Sequence, residues 1–268
     1  MKNKLLFGLV LTISFAFTTV VPTGDIYRNI PNKFFKRGEH IEYLVHYGMV
    51  NAGIGTVDVD NKLYSINGRP CYKVDVAGKS IGGLAMVANI DDFWRAYIDT
   101  ASLAPHRSYR NLKENSYVKE ESTYMNIFGK TARVKDDKDK TEKTINTPSY
   151  VLDIVGGFYY LRTLDYAKMA KGQFFMMDCI LDTDIHTLKV EFLGTEDVKT
   201  KFGTIKCYVM SPIVPKNQLF KGERPVKVWI SADNNRIPMK MQAEFVVGAV
   251  KVDLKDFKNM RHGFNFVK

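Results

Sequence analysis

Cysteine is scarce, and its pattern excludes several chemistries at once. Three cysteines in 268 residues is an odd number, so no full disulfide framework is expected, and at most one bridge can form. None stands in a Cys-x-x-Cys pair, which removes the usual signature of a redox dithiol or a thiolate zinc site. Cys71 and Cys207 lie in the strand-like runs Cys-Tyr-Lys-Val-Asp-Val and Ile-Lys-Cys-Tyr-Val. There the two thiols either pair or stay free as small buried hydrophobes. No Ser sits in a G-x-S-x-G elbow, no H-E-x-x-H occurs, and neither a P-loop nor a dinucleotide glycine pattern is present. Beyond residue 21 no apolar run is long enough to span a bilayer as a helix. With no recognised catalytic pattern, the expectation is a protein that is not an enzyme and needs no cofactor.

What the chain does have begins at its N-terminus. Lys2 and Lys4 precede the apolar run Leu5–Val21, which Pro22 closes. That is the pattern of a secretory signal peptide, with cleavage expected near Val21 or Pro22. No Cys follows the run, so lipid anchoring is not expected. The predicted location is the periplasm, with an association with the outer membrane as an option. Residues 22–268 are then expected to form a single β-rich domain, since all-β domains commonly reach about 200–250 residues. Loss of Lys2 and Lys4 lowers the formal net charge from +10 to +8. A basic surface suits anionic lipid or another acidic envelope component. Nucleic acid is not expected as a partner, because the basic residues are scattered among acids, as in "DDKDKTEK" (136–143), which reads as a solvated hairpin tip.

Alternation with period two dominates the rest, and it places successive side chains on opposite faces of a strand. It predicts strands at Glu39–Tyr47, Gly53–Asp60, Leu63–Ile66, Cys71–Ala77, Phe93–Ile98, Tyr117–Tyr124, Gln173–Leu181, Leu188–Leu193 and Thr204–Val209, then three more between Val226 and Leu254. Asn67-Gly68 is a two-residue hairpin signal. Gly53 and Gly55 suggest a bulge or a close backbone approach. Asp233-Asn234-Asn235 offers Asx-turn hydrogen bonds, and Pro238 belongs at an edge or bulge. One segment has helical spacing, with Thr147 as the N-cap, Pro148 at the first helical position, and Val151, Ile154, Val155, Phe158 and Leu161/Arg162 following. The expected fold is mainly β: an antiparallel, strongly curved sheet or incomplete β-barrel with one helix, about 148–168, packed on it.

Three polar groups merit weighing. Asp182, Asp184 and His186 in "DTDIH" would share one strand face and could offer ligands to a divalent cation, although a solvated turn explains them equally simply. Asp91-Asp92 reads as a loop before a strand, and His106, beside Pro105, reads as a loop residue. His40 and His46 share a strand face too far apart to bind one metal.

Several long stretches carry a resemblance: "FKRGEHIEYLVHYGMVNAGIGTVDV" (35–59), "DDFWRAYIDTASLAPHRSYRN" (91–111), "DIVGGFYYLR" (153–162), "EDVKTKFGTIKCYVMSP" (196–212) and "VWISADNNRIPMKM" (228–241). In this order they resemble a bacterial periplasmic family of unknown function. The resemblance implies an antiparallel curved sheet or incomplete barrel, similar to the lipoprotein carriers LolA and LolB, which hold acyl chains in an apolar concavity. It implies no catalytic residues.

Three functional expectations follow. The first is an exported envelope protein binding an apolar or amphipathic ligand such as lipid, lined by Tyr43, Val45, Trp94, Phe158, Tyr159, Trp229 and Phe245. In the plainer alternative, those side chains only fill a core. The second is an interaction or scaffold protein for outer-membrane or cell-wall machinery, pairing through strand edges. The third is a metal-dependent hydrolase using Asp182, Asp184 and His186.

Overall fold

Among the described residues, fourteen antiparallel strands form one sheet, and its order follows from the chain's path. In the computed structural model, which describes residues 27–213, 221–222, 224–246 and 248–267, the strands are β1 His40–Tyr47, β2 Val50–Ile66, β3 Arg69–Ser80, β4 Asp91–Asp99, β5 Pro105–Glu114, β6 Tyr117–Asn126, β7 Thr131–Asp136, β8 Thr141–Asn146, β9 Phe174–Leu181, β10 Asp184–Thr200, β11 Gly203–Pro212, β12 Val226–Ser231, β13 Pro238–Glu244 and β14 Ala249–Lys258. The expected signal peptide over residues 1–21 lies outside the described residues. The order across the sheet is β8-β7-β6-β5-β4-β3-β2-β1-β14-β13-β12-β11-β10-β9. The first and last strands therefore meet in the middle, through His40↔Lys258 to Tyr47↔Val250. The two outer strands, β8 and β9, are neighbours in sequence. The sheet curls without closing into a barrel, and the gap between β8 and β9 is its seam.

Turn chemistry matches the sequence closely. Asn67 and Gly68 both have positive φ, 53° and 73°, as a two-residue hairpin requires. Gly53 lies beside a register shift between Val45 and His46, and a Cβ there would stand 2.9 Å from the Lys79 carbonyl oxygen. Asp233 Oδ1 accepts from the N–H groups of Asn235 and Arg236, and Pro238 sits at a bulge opposite Ile230. Residues 53–60 and 63–66 belong to one long strand, β2, bulged between Val59 and Leu63.

Three expectations need correction. His106 is on strand β5, fully buried, and Asp92 is a buried residue of β4 whose Oδ1 accepts from Lys113 N–H. The helix is shorter than 148–168: α2 spans Ile154–Leu161, with a 3-10 turn at Tyr166–Lys168, and a separate four-residue helix, α1, spans Gly82–Ala85. Thr147 and Pro148 do not start α2, because the chain first runs along β9. Leu152 N–H donates to Asp178 O, and Ile180 N–H to Leu152 O. Only then does Asp153 cap the helix, its Oδ1 accepting from Gly156 N–H at 2.6 Å.

The principal core fills the curl between the sheet and α2. Phe35, Ile41, Tyr43, Val74, Ile98, Tyr159, Ile205, Trp229 and Ile237 are buried in it. At one end of the sheet Phe202, Phe257, Phe264 and Phe266 pack against one another as tilted rings and against the core. All three cysteines are free and buried, so Cys71 and Cys207 do not pair.

Candidate functional site: a polar cleft at the seam

Strand β5 faces inward with residues a core would not choose. Register places Trp94, Arg110 and Glu121 side by side across β4, β5 and β6, with Ala96, Ser108 and Thr123 in the next row. Opposite them stand the N-terminus of α2 and the β9–β10 turn. Between these walls lies a cleft of about 40 Å³, closed on its apolar side by Ile154, Val155 and Ile180. That volume holds about three waters and no acyl chain.

The seam is closed by side chains. Arg110 Nη2 donates to Glu121 Oε2 at 3.0 Å and to Asp182, and Lys119 Nζ reaches the same Asp182 oxygen. Asp182 is 45% exposed, so its ion pairs contribute little individually. Burial pushes its carboxyl up, but Lys119 and Arg110 outweigh this and hold it below the ordinary carboxylate range. Beside this triad a small apolar cluster, Met125, Ala132, Val134, Val151 and Ile180, bridges β6 and β7 to β9. Lys143 on β8 also reaches the Thr183 hydroxyl at 3.4 Å.

Among the described residues, two buried polar atoms here have no hydrogen-bond partner: Arg110 Nε and Asp153 Oδ2. Burial pushes the Asp153 carboxyl up to about 6, while Gly156 N–H and Ser108 pull the other way. A carboxyl whose pKa is raised by folding binds its proton more tightly in the native state. Its contribution is therefore most favourable below about pH 4, falls as pH rises toward about 6, and is a constant penalty above that. Asp153→Asn keeps an N-cap oxygen and removes the charge. It is expected to stabilise the protein by about 1–3 kcal/mol at pH 8 and by little at pH 4, measured by urea unfolding at both.

The residues expected to line a concavity divide between cleft and core. Trp94 lines the cleft. Tyr43, Tyr159 and Trp229 are buried in the principal core, with Phe158 packed against it. Their polar ends are satisfied there: Tyr43 donates to Pro238 O at 3.0 Å, and Trp229 Nε1 to Glu196 Oε2 at 2.7 Å. Val45 and Phe245 belong to neither group. Asp182 occupies a turn with φ +56°, and Asp184 and His186 are on β10, opposite Leu181 and Cys179. Among the described residues, no three His, Cys, Asp or Glu side chains gather as a metal site. Arg110, Glu121 and Asp153 were not singled out from the sequence. The signal for two of them was the inward parity of charged residues on adjacent strands.

A single antiparallel sheet curled around one helix, with an unpaired seam, defines a class of open, barrel-like proteins. The chain belongs to the family described as "Protein of unknown function (DUF3108)", which it matches over residues 42–255. Among solved structures it is similar to a β-barrel-like protein of domain of unknown function DUF1849 from Brucella abortus, with 11% identity and a TM-score of 0.52, covering 88% of this chain and 100% of that one. A protein from Bacteroides fragilis described as exported, with a YmcC-like fold, matches at 14% identity and a TM-score of 0.34, covering 87% of this chain and 100% of that one. No curated protein matches the chain.

Proposed function

We propose that this is an exported, non-enzymatic envelope protein that binds an amphipathic ligand such as lipid at the seam. One observation carries the reading: the sheet is held shut between β8 and β9 by side chains, with a cleft of mixed polarity directly behind. Parting the seam would expose Met125, Val134, Val151 and Ile180 to an acyl chain while Arg110 and Lys119 face its head. Burial of each CH₂ contributes about 0.8 kcal/mol, so a short stretch of chain compensates for the few exposed ion pairs given up.

Native mass spectrometry of protein purified from envelope fractions tests it. A bound mass released by organic solvent is expected, and Ile180→Asp is expected to abolish it. A ligand-free wild type that also fails to take up a lysophospholipid would favour the scaffold reading instead. That reading draws on the free edge of β8, six residues long and largely exposed. Glu142 and Lys143 on that edge oppose casual pairing.

A further inference from the structure

Strand direction sends the β1–β2, β3–β4 and β13–β14 turns to one end of the sheet, and in sheet order these three hairpins are consecutive. Each carries large apolar side chains in solvent. Tyr47, Met49 and Val50 project from the first, Met86 and Val87 from the second, and Val246 from the third. Met49 is fully exposed, and Met86 and Val87 are 89% and 79% exposed. None of these three supports the core, so the fold gives no reason for them.

The tips also form one platform. Gly48 N–H donates to Ala249 O at 3.2 Å, which ties the first hairpin to the third. Ile81 N–H donates to Ala52 O at 2.9 Å, which ties the second to the first. Gly48 and Gly248 both have positive φ, and a Cβ on Gly248 would stand 2.8 Å from Tyr47 Oη, so the turns are tight and pressed together.

We propose that this platform docks on an anionic bilayer surface, with the apolar tips entering the headgroup boundary. The described surface is a set of protruding apolar tips, which suits shallow insertion into lipid. The net charge agrees: without residues 1–21 the chain carries a formal +8, that is +10 less Lys2 and Lys4. Lys79 and Lys221 are exposed just behind the tips, and Lys251 is half-buried on β14. The acids nearby include Asp91, Glu114, Glu244 and Asp253, so the local charge is balanced and the attraction to an anionic surface rests on the net charge of the chain; Glu244 accepts from Gln242 and Asp253 faces His46. The proposal does not depend on the seam, whose strands β8 and β9 are the farthest in the sheet from β1 and β14.

Co-sedimentation of the protein lacking residues 1–21 with phosphatidylglycerol/phosphatidylethanolamine vesicles tests it. Binding is expected, weaker at high salt and weaker still to phosphatidylcholine. The variant Met49→Asp/Val87→Asp/Val246→Asp is expected to bind at least about tenfold more weakly, with unchanged thermal unfolding. Phe128→Asp, an exposed apolar residue at the other end, is expected to bind like wild type. Absence of vesicle binding by the wild type, or undiminished binding by the triple variant, would overturn the proposal. So would a dimer seen by sedimentation equilibrium that the triple variant abolishes, because the platform would then be an interface with a second copy. Seam ligand binding that survives in the triple variant separates this outcome from failure of the seam reading.

Discussion

Arg162→Met is expected to cost about 3–5 kcal/mol of folding stability, the scale for removing one partner of a buried ion pair. Arg162 is the C-cap residue of α2 and has no solvent exposure. Its Nη1 donates to Glu39 Oε1 at 2.5 Å and its Nη2 to Glu39 Oε2 at 3.0 Å. Its Nε and Nη2 also donate to Asn235 O, and Nη2 to Phe34 O at 3.1 Å. One guanidinium thus fastens the helix to the segment before β1 and to the β12–β13 turn. Removing it strands the Glu39 carboxylate and two backbone carbonyls away from water. Glu39→Met/Arg162→Met is expected to lose less than Arg162→Met alone, because no unpaired charge remains. Equilibrium urea unfolding of both variants decides the matter, and a single-variant loss below about 1 kcal/mol would contradict this account.

Asp99→Ala is expected to cost a similar amount, about 3–5 kcal/mol, and in addition to change the response to acid. Asp99 ends β4 and is completely buried. It accepts from the N–H groups of Ala101 and Ser102, both at 2.8 Å, and from Arg69. His106 Nε2 lies 3.5 Å from Asp99 Oδ2, an ion-pair distance beyond good hydrogen-bond geometry. Burial pushes this carboxyl up, but His106, Arg69 and the two backbone donors together hold it well below the usual carboxylate range. A depressed pKa contributes stability that is fully present above the unfolded value, near 4, and is lost as pH falls toward the native one. Asp99→Asn should therefore cost most at neutral pH and progressively less at about pH 3. The dependence has the opposite sign to that of Asp153. Urea unfolding at the two pH values with each asparagine variant resolves the contributions.

The apolar strands were legible because burial on one face imposes alternation, as in Ile41, Tyr43 and Val45 on β1. β5 was not, because its inward row is His106, Ser108 and Arg110, the reverse of the usual polarity. The same inversion made Asp92 look like a loop residue. Thr147-Pro148 is sound helix-start chemistry, but Leu152 pairs with β9, and that tertiary hydrogen bonding moved the start to Asp153. The cleft was the least legible feature. Arg110, Glu121, Asp153 and Asp182 come from four separate elements, and only the curl of the sheet brings them together. Arg162 stood at helical spacing with the apolar face of α2, a hint of burial, but nothing local pointed to Glu39 as its partner.

The pairing of β1 with β14 has a consequence for how the chain comes into being. The middle of the sheet needs residues about 200 positions apart, so the central ladder cannot assemble until the final strand has been synthesised. Early segments can form hairpins, but their innermost strand waits with an open side. Such distant contacts slow folding, since loop closure must precede any reward. On the proposed reading of an exported protein, that delay would be an advantage during passage across a membrane. The architecture itself postpones completion until β14 is available to pair with β1.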